Sequence, residues 1–547
     1  MTSPGDPVKS QIQTDWDSKP ELSHNEIIHL DGSPADTDGP VALIESKFAH
    51  LNKKQTLRVF WKTVLYAFAV GLGALFDGFA IVIPGSIVAN QGFINTFSTL
   101  NNAKGVPILD PKVVGAWGGI QSGGQIFAMW SGPFISDKLG RKANMYTVVV
   151  LVLAAIAIEL STKSWKIYAI ARLFSGIAVG YVQSGIPVFI SEIAPPAIRG
   201  SLLSMYSMMY NLGGLSASIA LKIVVGLGPD KFRHAFYSQF VFVGLFVCVL
   251  PFLPESPWYY ARKHEHDKAK KSLVRLNGGI PGWDVDYEYE VLRTNVAHSE
   301  SLKLLQKQSA FKELFIGTNG RRTLVALLPM LYSYMTGLSL IFGYTSYFFK
   351  LAGVKDPFLG SLIVKLVLNA ATLISFYTVE TVGRRWSLLG GGGAMGLVML
   401  IMGILASTGS ATSGEAVVAL FCIHIASYAL SVGPIAYTFI AEVPTARLRA
   451  RTAGLVTGAA ASFGLIFNYC TPIMLASPGA NWGLNIGYFW AGTTALSLVA
   501  LFFFIPETKG RTYAELDELF ERKIPARKFK TTTTKTDEQR VGNEDSV

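Results

Sequence analysis

Charged residues and cysteines are both scarce in this chain of 547 residues. Asp, Glu, Lys and Arg make up 16% of the sequence, whereas soluble domains carry about 25%. The three cysteines, Cys248, Cys422 and Cys470, all lie inside apolar runs, which excludes a disulfide framework and a cysteine-based metal site. The sequence also lacks a phosphate-binding loop, a metal-ligand cluster and a nucleophile–base motif, so it does not indicate an enzyme.

Long apolar runs dominate what is present. Hydrophobic residues make up 50% of the chain, and its mean hydropathy is +0.36. Each run is about 20 residues long, which is enough to cross a hydrocarbon core of about 30 Å as a helix. We predict an all-α membrane protein with twelve spans, over 61–89, 113–134, 145–162, 167–190, 201–225, 236–253, 323–349, 358–379, 386–407, 415–440, 451–476 and 486–505.

Three polar segments set the predicted domain boundaries. We expect a disordered cytosolic N-terminal tail, a six-helix bundle, a cytosolic central loop, a second six-helix bundle and a cytosolic C-terminal tail. These cover residues 1–56, 57–253, 254–322, 323–505 and 506–547. The N-terminal tail contains no apolar stretch of the kind that a cleaved signal peptide needs.

The excess of positive charge, +11 in total, falls on one side of the predicted spans. Arg141, Arg199, Arg384 and Arg447 lie on the same side as the lysine-rich segment 262–275. Basic residues in short connections mark the cytosolic side of a membrane, so both termini are predicted to be cytosolic. The charge is therefore interpreted as membrane topology, and no nucleic-acid partner is expected.

Three charged motifs occur twice, in the same order, at an offset of about 250 residues. The pairs are Asp137–Lys142 with Glu380–Arg385, Ser191–Arg199 with Ala441–Arg449, and Pro254–Ser256 with Pro506–Thr508. Parallel halves of this kind are typical of a transporter whose two bundles rock around a site between them.

The repeated motifs place acids and bases together at the cytosolic ends of the spans. Charges so close to hydrocarbon need partners. We predict an ion-paired ring along the cytosolic seam, closed when the carrier faces outward and broken when it faces inward. The alternative is that the basic residues only anchor the topology. The predicted gating residues are Asp137, Arg141, Glu192, Arg199, Glu255, Glu380, Arg384, Glu442, Arg447 and Arg449.

A set of short motifs extends over roughly residues 60–520. It consists of Gly140-Arg141-Lys142, Glu192 with Arg199-Gly200, Pro254-Glu255-Ser256-Pro257, Gly383-Arg384-Arg385 and Pro506-Glu507-Thr508-Lys509-Gly510. Together these motifs resemble the sugar porter family of the major facilitator superfamily, and segments 431–437 and 471–477 look most like its fungal maltose and α-glucoside permeases. The resemblance implies two six-helix bundles and import of a sugar by alternating access. It also implies a plasma-membrane location and activity as a monomer among membrane lipids.

Some of the family's sugar-binding positions carry over to this chain. The resemblance points to Tyr206, Ser207, Ser333, Tyr334, Ser339, Tyr344, Tyr437 and Asn468. Serine or tyrosine stands at several positions where hexose porters have an amide or tryptophan. Hydroxyl groups and aromatic faces suit a sugar. Shorter side chains leave room for a disaccharide, glycoside or other oligosaccharide, or for a substrate that is not a simple sugar. Each residue alone could instead pack helices together.

Four ionisable residues are identified within the predicted spans, where charges are costly and often functional. They are Asp77, Arg172, Lys365 and His424. Proton-coupled members of the family have an aspartate at the position of Ala80, so the resemblance implies that the usual coupling acid is missing. Asp77 lies three residues earlier, on nearly the same helix face. We predict that it pairs with Arg172 and binds the coupling proton; the alternative is a purely structural pair.

Lys365 and His424 each have two interpretations. Lys365 lies about 22 Å from the cytosolic end of its span, at 1.5 Å per residue. Its side chain either extends to the outer surface or faces inward and binds an anionic substrate such as a uronate. His424 is either a helix-packing residue or a second proton site.

Together these features predict a membrane transporter that imports an α-glucoside, disaccharide or other oligosaccharide by proton symport, with no cofactor except the proton. Three alternatives stay open. One is facilitated diffusion, because Ala80 replaces the usual acid. The others are a sugar sensor with a carrier fold and a transporter of a non-sugar or anionic metabolite.

Overall fold

Helices form almost all of the regular structure. The computed structural model describes residues 45–101, 105–308, 311–408, 414–445 and 447–534, without the side chains of 302–308, 376, 379 and 380. The helices of the first half are α1 (Lys53–Val59), α2 (Trp61–Ile87), α3 (Gln91–Phe97), α4 (Pro111–Leu139), α5 (Arg141–Ser161), α6 (Trp165–Ile193), α7 (Pro196–Gly226), α8 (His234–Tyr237) and α9 (Gln239–Val249). Strands β1 (Leu100–Asn101) and β2 (Pro107–Ile108) pair antiparallel in the connection before α4.

The central segment between the two halves is helical. It contains α10 (Pro257–Arg262), α11 (His266–Asn277), α12 (Val285–Gln308) and a 3-10 turn at Phe311–Phe315. Buried Leu273 of α11 packs with Tyr289 and Leu292 of α12, so this predicted loop has a small apolar core of its own.

The described part of the predicted N-terminal tail is attached to this segment. The hydroxyl group of Ser46 donates a hydrogen bond to Glu288 at 2.8 Å, and that of Tyr287 donates to the carbonyl oxygen of Glu45 at 2.9 Å. Helix α1 begins at Lys53, inside the range predicted to be disordered. The rest of that predicted tail, residues 1–44, lies outside the described residues.

The second half repeats the plan with two of its spans interrupted. Its helices are α13 (Gly317–Met335), α14 (Leu338–Gly343), α15 (Thr345–Leu351), α16 (Pro357–Val382), α17 (Arg384–Ser407), α18 (Gly414–Leu430), α19 (Val432–Glu442), α20 (Arg449–Leu475), α21 (Ile486–Phe504) and α22 (Tyr513–Glu521). Helix α22 and the turn Ala526–Lys528 lie in the predicted C-terminal tail and pack on the cytosolic end of this half through Leu519, Phe520 and Phe529.

Every predicted span coincides with one helix or with consecutive helices. In the described part of the chain, ten segments are long and apolar enough to cross a membrane. Helix α4 occupies another predicted span. Its polar residues Gln121 and Gln125 are half-buried, and Ser122 is buried. The seventh predicted span is divided among α13, α14 and α15. The count of twelve spans stays a prediction.

Gly337 causes the first break in that divided span. Its φ is +86°, in the left-handed region that favours glycine. A Cβ atom at this position would also lie 3.2 Å from the indole ring of Trp490. The break directs α14 against α2 of the first half, where a Cβ atom on Gly85 would overlap the carbonyl oxygen of Gly343.

The two halves meet along three sets of helices. Helix α4 packs against α20, α7 against α16, and α2 against α14 and α15. At the end opposite the basic motifs, the ammonium group of Lys350 donates to the carbonyl oxygen of Ala89 at 3.0 Å, and Lys222 pairs with Asp356. The predicted substrate site lies between these helices.

Candidate functional site

A buried arginine–glutamate pair lies at the end of the first half that carries the basic motifs. The Nε and Nη2 atoms of Arg141 donate to the two carboxylate oxygens of Glu192 at 2.9 and 2.8 Å. Asp137 lies 3.1 Å from the same guanidinium group. Arg262 of α10 approaches Glu192 at 3.4 Å. Because a bidentate pair fixes the positions of both side chains, the cluster joins three helices of this half to the central segment.

The second half contains an equivalent cluster. Arg384 donates to Glu442 at 3.4 Å. The hydroxyl group of Thr508 donates to Glu442 at 2.7 Å, as that of Ser256 donates to Glu192 at 2.5 Å. The repeated sequence motifs therefore occupy equivalent places in the two halves.

Two further glutamates cap the helices that begin at these clusters. Glu255 accepts hydrogen bonds from the first two backbone N–H groups of α5, at 3.0 Å each. Glu507 accepts from the first two N–H groups of α17, at 2.9 and 3.1 Å. A carboxylate at a helix N-terminus satisfies free N–H groups and is stabilised by the helix dipole. These motif residues thus have a structural function in addition to any part in gating.

The other predicted gating residues have separate partners. Arg199 donates to a backbone carbonyl group of its own half at 3.5 Å. Arg447 pairs with Glu313 at 2.5 Å, and Arg449 lies 4.7 Å from the ring centre of Tyr513. The side chain of Glu380 lies outside the described residues.

The described hydrogen bonds and ion pairs of the predicted gating residues stay within one half or reach the central and C-terminal segments. Contacts between the halves lie at the middle and the outer end, at Asn468–Ser122, Lys350–Ala89 and Lys222–Asp356. If the end with the basic motifs is cytosolic, as predicted, this arrangement corresponds to an inward-facing carrier, in which the predicted ring is expected to be open. The gating function of these residues stays a prediction.

Asp77 lies fully buried near the middle of α2. Its carboxylate accepts hydrogen bonds from the amide nitrogen of Gln183 at 3.2 Å and from the hydroxyl group of Tyr206 at 3.3 Å. The amide oxygen of Gln183 accepts from Gln125 at 2.7 Å. Neutral donors from α6 and α7 therefore hold this acid in place.

The predicted ion pair between Asp77 and Arg172 is not formed. Arg172 pairs with Glu159 of α5, and both side chains are at most 2% exposed. Gln239 donates to Glu159 at 2.7 Å, and the guanidinium group lies 4.9 Å from the ring centre of Tyr168. A buried arginine needs a buried counter-charge, and Glu159 supplies it from a position near the predicted end of its span.

Tyrosines from both halves lie close together beside Asp77, and we refer to the place where they meet as the tyrosine-lined space. They are Tyr206 and Tyr210 of α7, Tyr334 of α13, Tyr428 of α18 and Tyr437 of α19. Tyr210 interacts electrostatically with Asp77 and with Tyr334, Tyr428 and Tyr437 of the opposite half. Tyr437 is nevertheless 65% exposed, so its ring borders an open space. Aromatic faces and hydroxyl groups in such a position can bind the rings and hydroxyls of a sugar.

The remaining predicted substrate-binding residues differ from one another in burial and in hydrogen-bond partners. The hydroxyl group of Tyr344 donates to the backbone of Asn468 at 2.9 Å, and the amide of Asn468 donates to Ser122 of the first half at 2.8 Å. Ser333 is buried and donates to a carbonyl group of its own helix at 3.2 Å. Ser339 is also buried, whereas Ser207 is exposed. The structure thus brings Tyr206, Tyr334 and Tyr437 together and places Asn468 on the seam.

Amide side chains form contacts between helices from positions that were not among the predicted site residues. They are Gln121, Gln125, Gln183, Asn211 and Asn369. The available signal was the presence of amides inside otherwise apolar spans, where polar side chains form contacts between helices. Asn211 and Asn369 make their contacts across the two halves, whereas Gln121, Gln125 and Gln183 make theirs within the first half.

Lys365 and His424 are both buried in the second half. Lys365 is 2% exposed, and its ammonium group lies 4.5 Å from the ring centre of Phe342. Its side chain therefore does not extend to the outer surface. His424 is 1% exposed. Its Nδ1 atom has no hydrogen-bond partner among the described residues, and its ring bonds to the backbone of Met395 on α17, which favours the helix-packing interpretation.

Comparison with known proteins places this geometry in context. The family described as "Sugar (and other) transporter" matches residues 66–520. The general alpha-glucoside permease of Saccharomyces cerevisiae is 30% identical over 487 residues, which are 88% of this chain and 78% of the permease. The high glucose sensor of the same yeast is 25% identical over 493 residues, covering 88% of this chain and 63% of the sensor.

A solved structure shows the same fold. The xylose transporter XylE from E. coli, in its inward open conformation, superposes with a TM-score of 0.67 at 20% identity. The match covers 84% of this chain and 99% of that transporter. This likeness confirms the predicted all-α membrane fold of the major facilitator type.

Proposed function

Because the chain belongs to the sugar (and other) transporter family, we propose that it imports an α-glucoside, a disaccharide or another oligosaccharide by alternating access and proton symport. The predicted family is confirmed. The chain is a multi-pass membrane protein of a family of sugar transporters, not an enzyme. The class of sugar, the direction of transport and the coupling ion are the parts proposed.

The tyrosine-lined space supports a sugar as the substrate. Its walls carry rings and hydroxyl groups from both halves, and the ring of Tyr437 is left 65% exposed. Amides such as Gln183 and Asn211 add donors and acceptors at the edges. A sugar bound there would contact both halves at once, which alternating access requires. The relative that is named an alpha-glucoside permease supports the same class.

One observation carries the proposal of coupling: the hydroxyl group of Tyr206 donates to Asp77 at 3.3 Å while its helix borders the tyrosine-lined space. In the described part of the chain, no cation forms an ion pair with Asp77. A carboxylate held by neutral donors can gain or lose a proton without breaking an ion pair. Protonation of Asp77 would weaken the charge-assisted hydrogen bond from Tyr206, so proton binding and sugar binding share one side chain.

The test uses the full chain, purified and reconstituted in proteoliposomes. Uptake of labelled maltose, methyl α-glucoside and xylose is measured with and without an inward proton gradient. We expect saturable maltose uptake that the gradient stimulates. In Asp77→Asn the stimulation should disappear, whereas the matched exposed variant Asp230→Asn should behave like the wild type.

Other results would favour the alternatives. Uptake that does not respond to the gradient in the wild type would indicate facilitated diffusion. Stimulation that persists in Asp77→Asn would remove this residue from the coupling step. Binding of sugar without flux would indicate a sensor, a class represented among the relatives by the high glucose sensor.

The cellular setting completes the proposal. The basic motifs support cytosolic termini by the positive-inside rule, and import of an external sugar supports a plasma-membrane location. Both halves of the transport path belong to one chain, so the monomer, surrounded by lipid, is the proposed functional unit. The proton is the only coupling species proposed.

A further inference from the structure

Lys365 is a buried cation without a matching acid. It lies on α16 at the seam between the halves and is 2% exposed. Its described contact is the ring of Phe342, 4.5 Å from the ammonium group. Among the described residues, no carboxylate forms an ion pair with it. A charge at this depth is costly without a counter-charge, and such residues are usually functional.

A second unsatisfied group lies one helical turn along the same face. The amide nitrogen of Asn369 donates to the backbone of Lys365 at 2.8 Å and to the backbone of Asn211 in the opposite half at 3.4 Å. Its amide oxygen is buried and has no hydrogen-bond partner in the described part of the chain. A positive charge and a free acceptor therefore lie side by side at the seam.

This polar strip adjoins the tyrosine-lined space. The ring of Phe342 packs edge-on against Tyr428, with ring centres 5.8 Å apart. Tyr428 interacts electrostatically with Tyr334 and Tyr437, which belong to the proposed sugar site. These rings therefore connect the position of Lys365 to the proposed sugar site.

We infer that Lys365 binds the carboxylate of an acidic sugar, such as the uronic acid unit of an α-glycoside, while the amide oxygen of Asn369 accepts a hydrogen bond from a neighbouring hydroxyl group. A sugar carboxylate supplies the missing counter-charge, and a charge-assisted hydrogen bond is stronger than a neutral one. A sugar hydroxyl group can donate the hydrogen bond that the amide oxygen of Asn369 does not receive from any described residue. The bound carboxylate would also neutralise the charge of Lys365 at the seam while the two halves move. This inference rests on the proposed function, whose substrate class it narrows.

The test compares two ligands that differ only in charge. Methyl α-D-glucuronide carries the carboxylate, and its primary amide is a neutral isostere. Binding of each to the purified full chain is measured by titration calorimetry, and each is tested as a competitor of labelled maltose uptake. We expect the carboxylate to bind at least about tenfold more tightly than the amide.

Two variants test whether Lys365 causes the preference. Lys365→Gln removes the charge and should bring the ratio of the two affinities close to one. Asn369→Asp places a carboxylate beside the ammonium group, which should compete with the ligand and also abolish the preference. In Asn369→Asp the new carboxylate pairs with the buried ammonium group of Lys365. This variant therefore still tests the inference if Lys365→Gln does not fold. The exposed variant Lys166→Gln is the matched control and should keep the preference.

The possible failures are distinct. Equal binding of the two ligands, with saturable maltose uptake, would overturn the inference and leave the proposed function intact. A carboxylate preference that persists in both variants would also overturn it. Absence of saturable binding and uptake for every probe would reject the proposed function, and this inference with it.

Discussion

Lys222 of α7 and Asp356, the residue before α16, form an ion pair that joins the two halves at their outer end. Asp356 also accepts a hydrogen bond from the backbone N–H of Leu359 at 2.9 Å and so caps α16. Lys350 makes a second connection to the first half nearby. We refer to Lys222, Asp356 and Lys350 as the outer latch. It is closed in this inward-facing structure, and the halves must separate here when the carrier faces outward.

The outer latch should stabilise the inward-facing state. Both partners of the ion pair are about one-third exposed, with side-chain exposures of 37% and 35%, and exposed pairs contribute about 0.2–1 kcal/mol. We therefore expect Lys222→Gln to shift the equilibrium towards the outward-facing state by a factor of about 1.4 to 5. The measurement is the distance distribution between spin labels at positions 163 and 480, in a chain without its three native cysteines. Lys222→Arg should preserve the wild-type distribution, and an unchanged distribution in Lys222→Gln would show that the pair does not hold the state.

The latch should not respond to pH in the physiological range. Burial raises the pKa of Asp356, but hydrogen bonds from Lys222 and from the N–H group of Leu359 outweigh this effect and lower the pKa below its usual value. A carboxyl group with a lowered pKa contributes stability that is fully present above its ordinary pKa of about 3.9 and is lost as the pH falls further. We expect the same spin-label distances from pH 5 to pH 8 in Asp77→Asn, where the proposed coupling site is neutral. A shift within that range would place a proton-sensitive group at the latch.

The outline of the fold could be predicted because membrane thickness sets a lower limit on the length of each apolar run. Helix α21 and the twelfth predicted span both begin at Ile486. The helix ends at Phe504, one residue before the end of the predicted span. The break at Gly337 could not be read from hydropathy, since the apolar run continues through it. It depends on a left-handed backbone conformation and on the ring of Trp490 in another helix.

The site was only partly predictable for a related reason. A repeat and a family resemblance identify positions such as Glu192 and Tyr437, but which side chains meet depends on the rotation and tilt of each helix. Arg172 was expected beside Asp77 and instead meets Glu159, which stands near the end of a predicted span. Asn369 and Lys365 become informative only when the unpartnered amide oxygen of Asn369 and the buried ammonium group of Lys365 are seen on the same helix at the seam.

Tyr206 should be needed for coupling as well as for the shape of the site. Tyr206→Phe keeps the ring and removes the hydrogen bond to Asp77. Hydrogen bonds to charged groups contribute about 1.5–3 kcal/mol. We therefore expect the ratio of maltose uptake with a proton gradient to uptake without one to fall by about tenfold. If the wild-type ratio is below about ten, it should fall to one, which means that the gradient no longer stimulates uptake. Tyr146→Phe, at an exposed position on α5, should leave the ratio unchanged. A normal ratio in Tyr206→Phe would separate the tyrosine from proton binding.

The Glu159–Arg172 pair should be structural. Removal of one partner from a buried pair costs about 3–5 kcal/mol, whereas replacement of both by apolar residues is often nearly neutral. We expect Glu159→Leu alone to lower the unfolding temperature in detergent, and the double variant with Arg172→Met to recover most of the loss. Tryptophan fluorescence during heating gives the measurement.

The double variant also decides the part that Arg172 plays in transport. If the pair is only structural, gradient-stimulated uptake by the double variant should match that of the wild type. Loss of stimulation in a stable double variant would return Arg172 to the coupling mechanism that the sequence predicted.

Glu192 and Glu442 should control the opposite, cytosolic side. In this inward-facing structure each glutamate holds an arginine of its own half. If these charges also meet across the seam when the carrier faces outward, their loss destabilises that state selectively. We expect Glu192→Gln and Glu442→Gln each to lower the maximal rate of maltose uptake by about tenfold, the effect of losing a charge-assisted hydrogen bond. Spin labels on the cytosolic ends should show a smaller outward-facing population.

The alternative function, anchoring of the topology by basic residues, makes a different prediction. Anchoring depends on lysine and arginine and only slightly on acids, so both glutamine variants would then transport at the normal rate. Lys138→Gln removes an exposed base from the same turn and serves as the matched control. Under the gating hypothesis this control should leave the rate and the spin-label distances unchanged. Equal transport rates in all three variants would show that the glutamates have no part in gating. Their function would then be to join neighbouring helices.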